Sequence, residues 1–377
     1  MPDQEIGQNY TINHPRRRLS RALVRFLGRV ILPLAFRVKI AGRDNFPQGG
    51  PLLVVANHRA VMEAVLLAVY TPWQIEALGA SDVPHEDFVQ LALDIYGYIP
   101  VNRGHFDRQA LEKALDVLRQ DGVVTIFPEG GIWNAGRMRA QTGVAWLSYR
   151  ANAPVLPIGF AGTVGALRNA LQLKRPPLTM HVGQVRPAAR LPDNKPRKTY
   201  LQEYAARTVE TIEALLPADD RVEHPAVQDE RFELQISTQT ADGKEASYPD
   251  DLTIQHAAAL AELLHRPPVL KIFTSNLNLP TRPLEQLDQE PDLESIVEAA
   301  QSILEYLRKD NPYLLTYRFG ASRAEAMRLG LEELLNLARW ASKEGLRLRL
   351  IPIRRYISPE SGEEIAQTRQ GSFQGWM

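Results

Sequence analysis

Three short apolar runs constrain this chain more than any other feature: LLVVAN (52–57), VVTIF (123–127) and PVLPIGF (154–160). Each is too continuously apolar for a strand with one wet face, and each stops abruptly at polar or turn-forming residues. Runs of this kind are strands buried on both faces, the mark of a parallel sheet covered by helices. The segments between them supply the helices. RQALEKALDVLRQDG (108–122) is amphipathic and is expected to stop at Gly122, and DFVQLALDIYG (87–97) and RAQTGVAWLSYRANA (139–153) also read as helical. FRVKIAG (36–42) and LTMHVGQV (178–185) add further strands, and a helix near 199–216 follows a Pro-rich passage. The expectation is an α/β fold, a mostly parallel sheet with helices on both faces.

The character changes near 218–230. Beyond it the chain reads as a hairpin near 232–248, helices near 252–265, 292–309 and 322–344, and a closing strand from 346, a mainly helical α+β C-terminal region. Charge changes at the same place. Lys+Arg and Asp+Glu tie at 44 each, yet residues 1–218 carry 26 basic and 18 acidic side chains and the remainder the reverse. The division expected is therefore 1–36, 37–218 and 219–377. The zero net charge points to no nucleic-acid partner. With no cysteine, a thiol nucleophile, a cysteine metal site and a disulfide are all excluded. No run approaches the roughly 18 apolar residues of a membrane span and no signal peptide is expected.

Residues 1–36 are read as a docking segment. Leu19, Leu23, Phe26, Leu27 and Val30 recur at helical spacing among Arg16, Arg17, Arg18, Arg21, Arg25 and Arg29. Such a helix can lie in an anionic bilayer interface with its arginines at the headgroups, or it can dock on its own domain. The residues alone leave both readings open.

Chemistry gathers at strand ends. His58 follows the first buried run, where open α/β sheets place ligands, and Glu63 lies five residues on. In a regular helix these two positions are about 140° apart, so they meet only if His58 precedes the first helical turn. A carboxylate there orients the imidazole and favours the imidazolium formed as it takes a proton. The alternative is a helix-start histidine with a first-turn acid. A second pair of this spacing, His224 with Asp229, follows no strand and precedes a proline. Arg103, after the short strand in GYIPVNRG, is suited to grip a phosphate. FPEGG (127–131) ends a strand with Glu129, Gly130 and Gly131, where glycines permit close backbone approach to a ligand. A serine elbow is the decoy. RFGASRAEA (318–326) lacks the final glycine of that motif, and no histidine follows His265, so Ser322 with Glu325 reads as a capping box instead.

In this order, four segments resemble the blocks of the glycerolipid acyltransferase family, whose members include the lysophosphatidic acid acyltransferases. NHRAVME (57–63) looks like the Asn-His-X4-Asp block, GYIPVNRG like the second, FPEGG like the third and PVLPIGF like the fourth. The likeness covers residues 20–215, and the basic, apolar N-terminal segment resembles the family's membrane-docking region. It implies transfer of an acyl chain from an acyl thioester, acyl-CoA or acyl-carrier protein, to a lysophospholipid hydroxyl. The acceptor to expect first is 1-acylglycerol 3-phosphate. His58 would be the general base and Glu63 its orienting acid, while Arg103, Glu129 and Gly130 would hold the acceptor. No cofactor and no metal are expected, and the enzyme would sit peripherally on the cytoplasmic side of the membrane. Two positions depart from the pattern. Glu63 replaces the commoner aspartate, as in lipid A-type acyltransferases, and Gly131 and Ile132 stand where a small hydroxyl residue and an arginine are usual. Those departures motivate the rival reading, a non-catalytic lipid-binding protein that keeps the fold.

Overall fold

The computed structural model describes residues 12–81, 83–85, 87–101, 107–128, 142–192, 194–218, 229–357 and 361–369. The chain divides into two compact units. The first holds 1–81, 91–102 and 106–223, and the second holds 82–90, 103–105 and 224–377.

In chain order the first unit carries α1 (Arg18–Ala35), β1 (Arg37–Ala41), β2 (Leu52–Ala56), α2 (Met62–Tyr70) and β3 (Ile75–Ala80). It continues with most of α3 (Asp87–Tyr96), then β4 (Ile99–Val101), α4 (Arg108–Arg119), β5 (Val123–Ile126) and α5 (Gly143–Ala151). β6 (Val155–Ala161), α6 (Ala166–Leu171), β7 (Pro177–Val182) and α7 (Arg197–Ala214) complete it. The seven strands form one sheet in the order β1-β7-β6-β2-β5-β3-β4. The neighbours from β6 to β4 all pair in parallel, whereas β7 runs antiparallel to β6 and parallel to β1. The sheet is thus mostly parallel, with a reversed pair at one edge.

β2 explains why the apolar runs are unbroken. All five of its residues are buried. Leu52, Val54 and Ala56 face a core with α1 and α2, and Leu53 and Val55 face a second core with α4, α5 and α7. Burying each such side chain stabilises the fold by about 1.5–3 kcal/mol. α4 begins at Asp107, whose side chain accepts from the Ala110 N–H at 3.0 Å. Its end differs from expectation in detail. The left-handed residue is Asp121 (φ 54°), and Gly122 is needed for space, since a Cβ there would lie 2.5 Å from Val117 Cγ1.

α1 is docked the other way round from an arginine-out interfacial helix. Arg21 is fully buried and grips Glu76 with two hydrogen bonds, at 2.6 and 2.9 Å, while its Nε donates to the Tyr96 carbonyl. Arg16 donates twice to the same carboxylate, Arg25 to the Thr71 carbonyl and Arg29 to the Val69 carbonyl. Gly28 rests on Val69 with no room for a Cβ. The arginines therefore hold the helix to its domain, and Leu19, Leu23, Phe26, Leu27, Val30, Ile31 and Leu34 point outward, from 44% to 88% exposed. The helix docks on its own domain, and its apolar stripe remains uncovered.

The second unit contains β8 (Asp229–Gln239), β9 (Glu245–Ala246), α8 (Ala257–Leu264), α9 (Pro267–Lys271), α10 (Arg282–Glu285), α11 (Leu293–Lys309), α12 (Leu314–Phe319), α13 (Ala321–Lys343), β10 (Arg347–Ile357) and β11 (Glu364–Arg369). Its strands form an antiparallel sheet in the order β11-β10-β8-β9. One expectation fails here. Ser322 lies inside α13, whose cap is Gly320 without a side-chain hydrogen bond, and Glu325 pairs with Arg328. Glycine at φ 82° makes the turn into the helix, so no capping box is required.

Candidate active site

The site is built where three adjacent parallel strands end. β2 lies between β6 and β5, and the residues just past the three C-terminal ends converge. His58 follows β2, Phe127 follows β5 and Thr163 follows β6. This is the edge of an α/β sheet that presents ligand-binding groups.

α2 begins only at Met62, so His58 lies outside the helix and its ring is free of the 140° restriction. His58 Nδ1 is 3.3 Å from Glu63 Oε2, and the imidazole lies flat on Phe127, with centroids 3.9 Å apart and planes at 14°. One edge of the ring is thus held by a carboxylate and one face by an aromatic. The His58 side chain is 17% exposed, whereas Glu63 is completely buried. A buried carboxylate needs every lone pair addressed. The Ala60 N–H donates to Glu63 Oε2 at 2.8 Å, and the Thr163 hydroxyl donates to Oε1.

The turn that carries His58 is itself clamped. Asn57 is fully buried, its Nδ2 donates to the Phe160 carbonyl at 2.9 Å and its Oδ1 accepts from the Phe160 N–H at 2.7 Å. The side chain continues the β2–β6 ladder after the backbone has left it, which fixes the point from which His58 departs. Gly162 performs the matching task on β6. At φ 73° a Cβ there would lie 2.4 Å from the Pro177 carbonyl oxygen, and the turn carries Thr163 back over the end of β2.

The structure therefore brings together His58 and Glu63 of the residues expected from sequence. Arg103, Glu129 and Gly130 lie outside the described residues, as do Gly131, Ile132 and His224. Sequence reading passed over Asn57, Phe127 and Thr163. Asn57 and Phe127 stood in quoted motifs without a role, and Thr163 lies three residues beyond the run read as core. A hydroxyl residue just past a buried strand, after a glycine, is the signal that was available. Among the described residues no group of three His, Cys, Asp or Glu side chains is arranged to hold a metal.

Residues 37–161 match the family model described as Acyltransferase. Over 153 residues the chain is 29% identical to the 1-acyl-sn-glycerol-3-phosphate acyltransferase of Borreliella burgdorferi, covering 39% of this chain and 60% of that protein. Over 135 residues it is 22% identical to the Bacillus subtilis protein of the same name, covering 36% and 67%. The crystal structure of a 1-acyl-sn-glycerophosphate (LPA) acyltransferase from Thermotoga maritima aligns with 53% of this chain and 83% of its own at 16% identity, with a TM-score of 0.39. The chain spans about three fifths of the Borreliella relative's length.

Proposed function

We propose that this chain, whose residues 37–161 match the Acyltransferase family model, is a glycerolipid acyltransferase that transfers an acyl group from a thioester to a lysophospholipid hydroxyl, with 1-acylglycerol 3-phosphate as first acceptor. The observation that carries the reading is the His58–Glu63 pair at the C-terminal edge of β2, inside the matched segment.

A His58 that donates Nδ1–H to Glu63 carries its lone pair on Nε2. That nitrogen takes the hydroxyl proton as the acceptor oxygen bonds to the thioester carbonyl carbon. The tetrahedral adduct then expels the thiolate, the C–S bond breaks, and the proton held on Nε2 passes to sulfur. No covalent enzyme intermediate is needed. Phe127 keeps the ring in one plane, and buried Glu63 supports the imidazolium that forms between the two proton transfers. Arg103, Glu129 and Gly130 are assigned to the phosphate-bearing head of the acceptor, Arg103 because a guanidinium grips phosphate in two-pronged fashion. The donor is acyl-CoA or acyl-carrier protein.

The reading places this reaction at a membrane surface, because the acceptor is a lipid. The exposed stripe of α1 supports that, and Leu171 at the end of α6 and Leu173 just past it, 79% and 89% exposed, add apolar surface. Arg175, two residues past Leu173, donates to the Pro33 carbonyl of α1 at 2.6 Å. An apolar face of this extent marks an interaction surface. The proposed attachment is peripheral, on the cytoplasmic side; among the described residues no helix is long and apolar enough to cross a membrane.

The test is acyl transfer from a labelled acyl thioester to glycerol 3-phosphate, lysophosphatidic acid and other lysophospholipids, beside His58→Ala. Turnover is expected with lysophosphatidic acid, falling by about 10³-fold in the variant. A folded protein that binds vesicles yet transfers to none of these acceptors would mean the rival lipid-binding function.

A further inference from the structure

Glu63 is one methylene longer than the aspartate usual at its position, and a longer side chain has one more rotor to hold still. Its far oxygen is held by a residue that nothing so far gives a part in the reaction. We propose that Thr163 is a positioning residue that fits this site to glutamate, holding Glu63 Oε1 so that Oε2 meets His58 Nδ1. This rests on the acyl-transfer reading of the same site.

Four observations carry it. Thr163 is buried, 3% exposed, and its hydroxyl donates to Glu63 Oε1 across 100 residues of chain. The remaining partners of Glu63 are both on Oε2, namely the Ala60 N–H and His58 Nδ1. Without Thr163 the carboxylate would be tethered through one oxygen only and could rotate about its last bond. Among the described residues Glu63 has no arginine or lysine partner, so no cation fixes it instead. The hydroxyl is delivered by Gly162, whose left-handed turn admits no side chain, so its placement follows from the backbone and not from a surface rotamer. Thr163 touches no reacting atom in this scheme. It acts through Glu63 on the tautomer and plane of His58.

Thr163→Val keeps the shape of the side chain and removes the donor. The expected result is a kcat lower by about 10- to 100-fold, the worth of a hydrogen bond to a charged group, with KM changed less than about twofold. Thr163→Ser should restore the rate to within about threefold. Coupling separates positioning from packing. In the Glu63→Asp background the shorter acid falls short of Thr163, so Thr163→Val should cost less than about twofold more. A tautomer readout does not depend on turnover. Histidine-selective ¹⁵N NMR should show His58 as the Nδ1–H form in the parent protein and as a mixture in Thr163→Val. Thr163→Ala, read in the same way, takes its place if valine disturbs folding. Unchanged kcat with an unchanged His58 spectrum overturns the proposal, as does an equal loss in both backgrounds. If the parent protein transfers no acyl group, or His58→Ala still does, the acyl-transfer reading fails instead, and the NMR comparison still decides whether Thr163 orders the pair.

Discussion

Among the described residues of the first unit two glutamates are completely buried, and they are held in opposite ways. Glu76, the second residue of β3, receives both prongs of Arg21 and two hydrogen bonds from Arg16, with His14 at 3.7 Å. Glu63, at the start of α2, receives a threonine hydroxyl, a backbone N–H and one histidine. The first carboxylate is surrounded by permanent cations, so its charge is matched at every working pH and the cluster is a lock. The second has no arginine or lysine partner among the described residues, and its one ionisable neighbour is the proposed general base. Burial of an acid therefore says little about its role, and the chemistry of its partners says much more.

The comparison breaks most sharply under paired substitution. Glu76→Gln leaves Arg21 buried without its countercharge and should lower unfolding stability by about 3–5 kcal/mol, with kcat per folded molecule near that of the parent. Glu63→Gln keeps the shape and most of the hydrogen bonds. It should cost about 1 kcal/mol of stability but about 10²-fold in kcat. Urea unfolding and turnover on the same preparations give both numbers. The distinction collapses if the two variants lose stability and rate in the same proportion.

Acid should sharpen it further. Burial alone would raise the Glu76 carboxyl, but the neighbouring His14, 3.7 Å away, and the hydrogen bonds from Arg21 and Arg16 overcome that and hold it down at about 2. A lowered carboxyl contributes stability that is complete above its unfolded value of about 4.5 and is lost as pH falls toward 2. The amount is roughly 3 kcal/mol, and Glu76→Gln should remove that pH dependence. The second unit should soften earlier. Burial, helped by Arg354 and Arg266, pushes His265 down to about 4, so its unfolded form takes up a proton first and stability falls between about 6.5 and 4. Chemical denaturation at pH 7, 5 and 3, with a probe in each unit, checks the order. First-unit loss already complete at pH 5 would contradict it.

How much of this was legible in sequence depends on the distance between partners. The buried strands could be read because a run such as Leu52–Ala56 carries its environment in its own composition. The direction of β7 could not, since an apolar run does not say which way its neighbour points. The helical period of α1 was plain, but which stripe faces inward was decided by Glu76, 55 residues from Arg21. In the same way His58 and Glu63 were visible as a local pair, whereas Thr163 became a partner only when β6 was laid beside β2. The capping box at Ser322 failed for a local reason, because Gly320 had already turned the chain into the helix.

The lock also has a consequence for the proposed membrane face. By drawing Arg16 and Arg21 inward, Glu76 leaves Arg17 and Arg18 as exposed arginines at the start of α1 and turns the apolar stripe outward. Vesicle binding should then depend more on apolar insertion than on anionic headgroups, which differs from the arginine-at-headgroup picture that sequence suggested. Leu23→Glu and Phe26→Glu should each weaken binding by about 2 kcal/mol, or roughly 30-fold, without moving the urea midpoint, because both side chains are already exposed at 57% and 65%. Raising salt from 0.05 to about 0.3 M should weaken it by less than about tenfold, since the three exposed arginines of this segment, Arg17, Arg18 and Arg29, contribute about 1 kcal/mol each before screening and salt removes only part of that. Co-sedimentation with vesicles of neutral and anionic composition measures both terms. If salt releases the protein and the two glutamate substitutions do not, then basic residues elsewhere carry the attachment and the outward stripe of α1 has another partner.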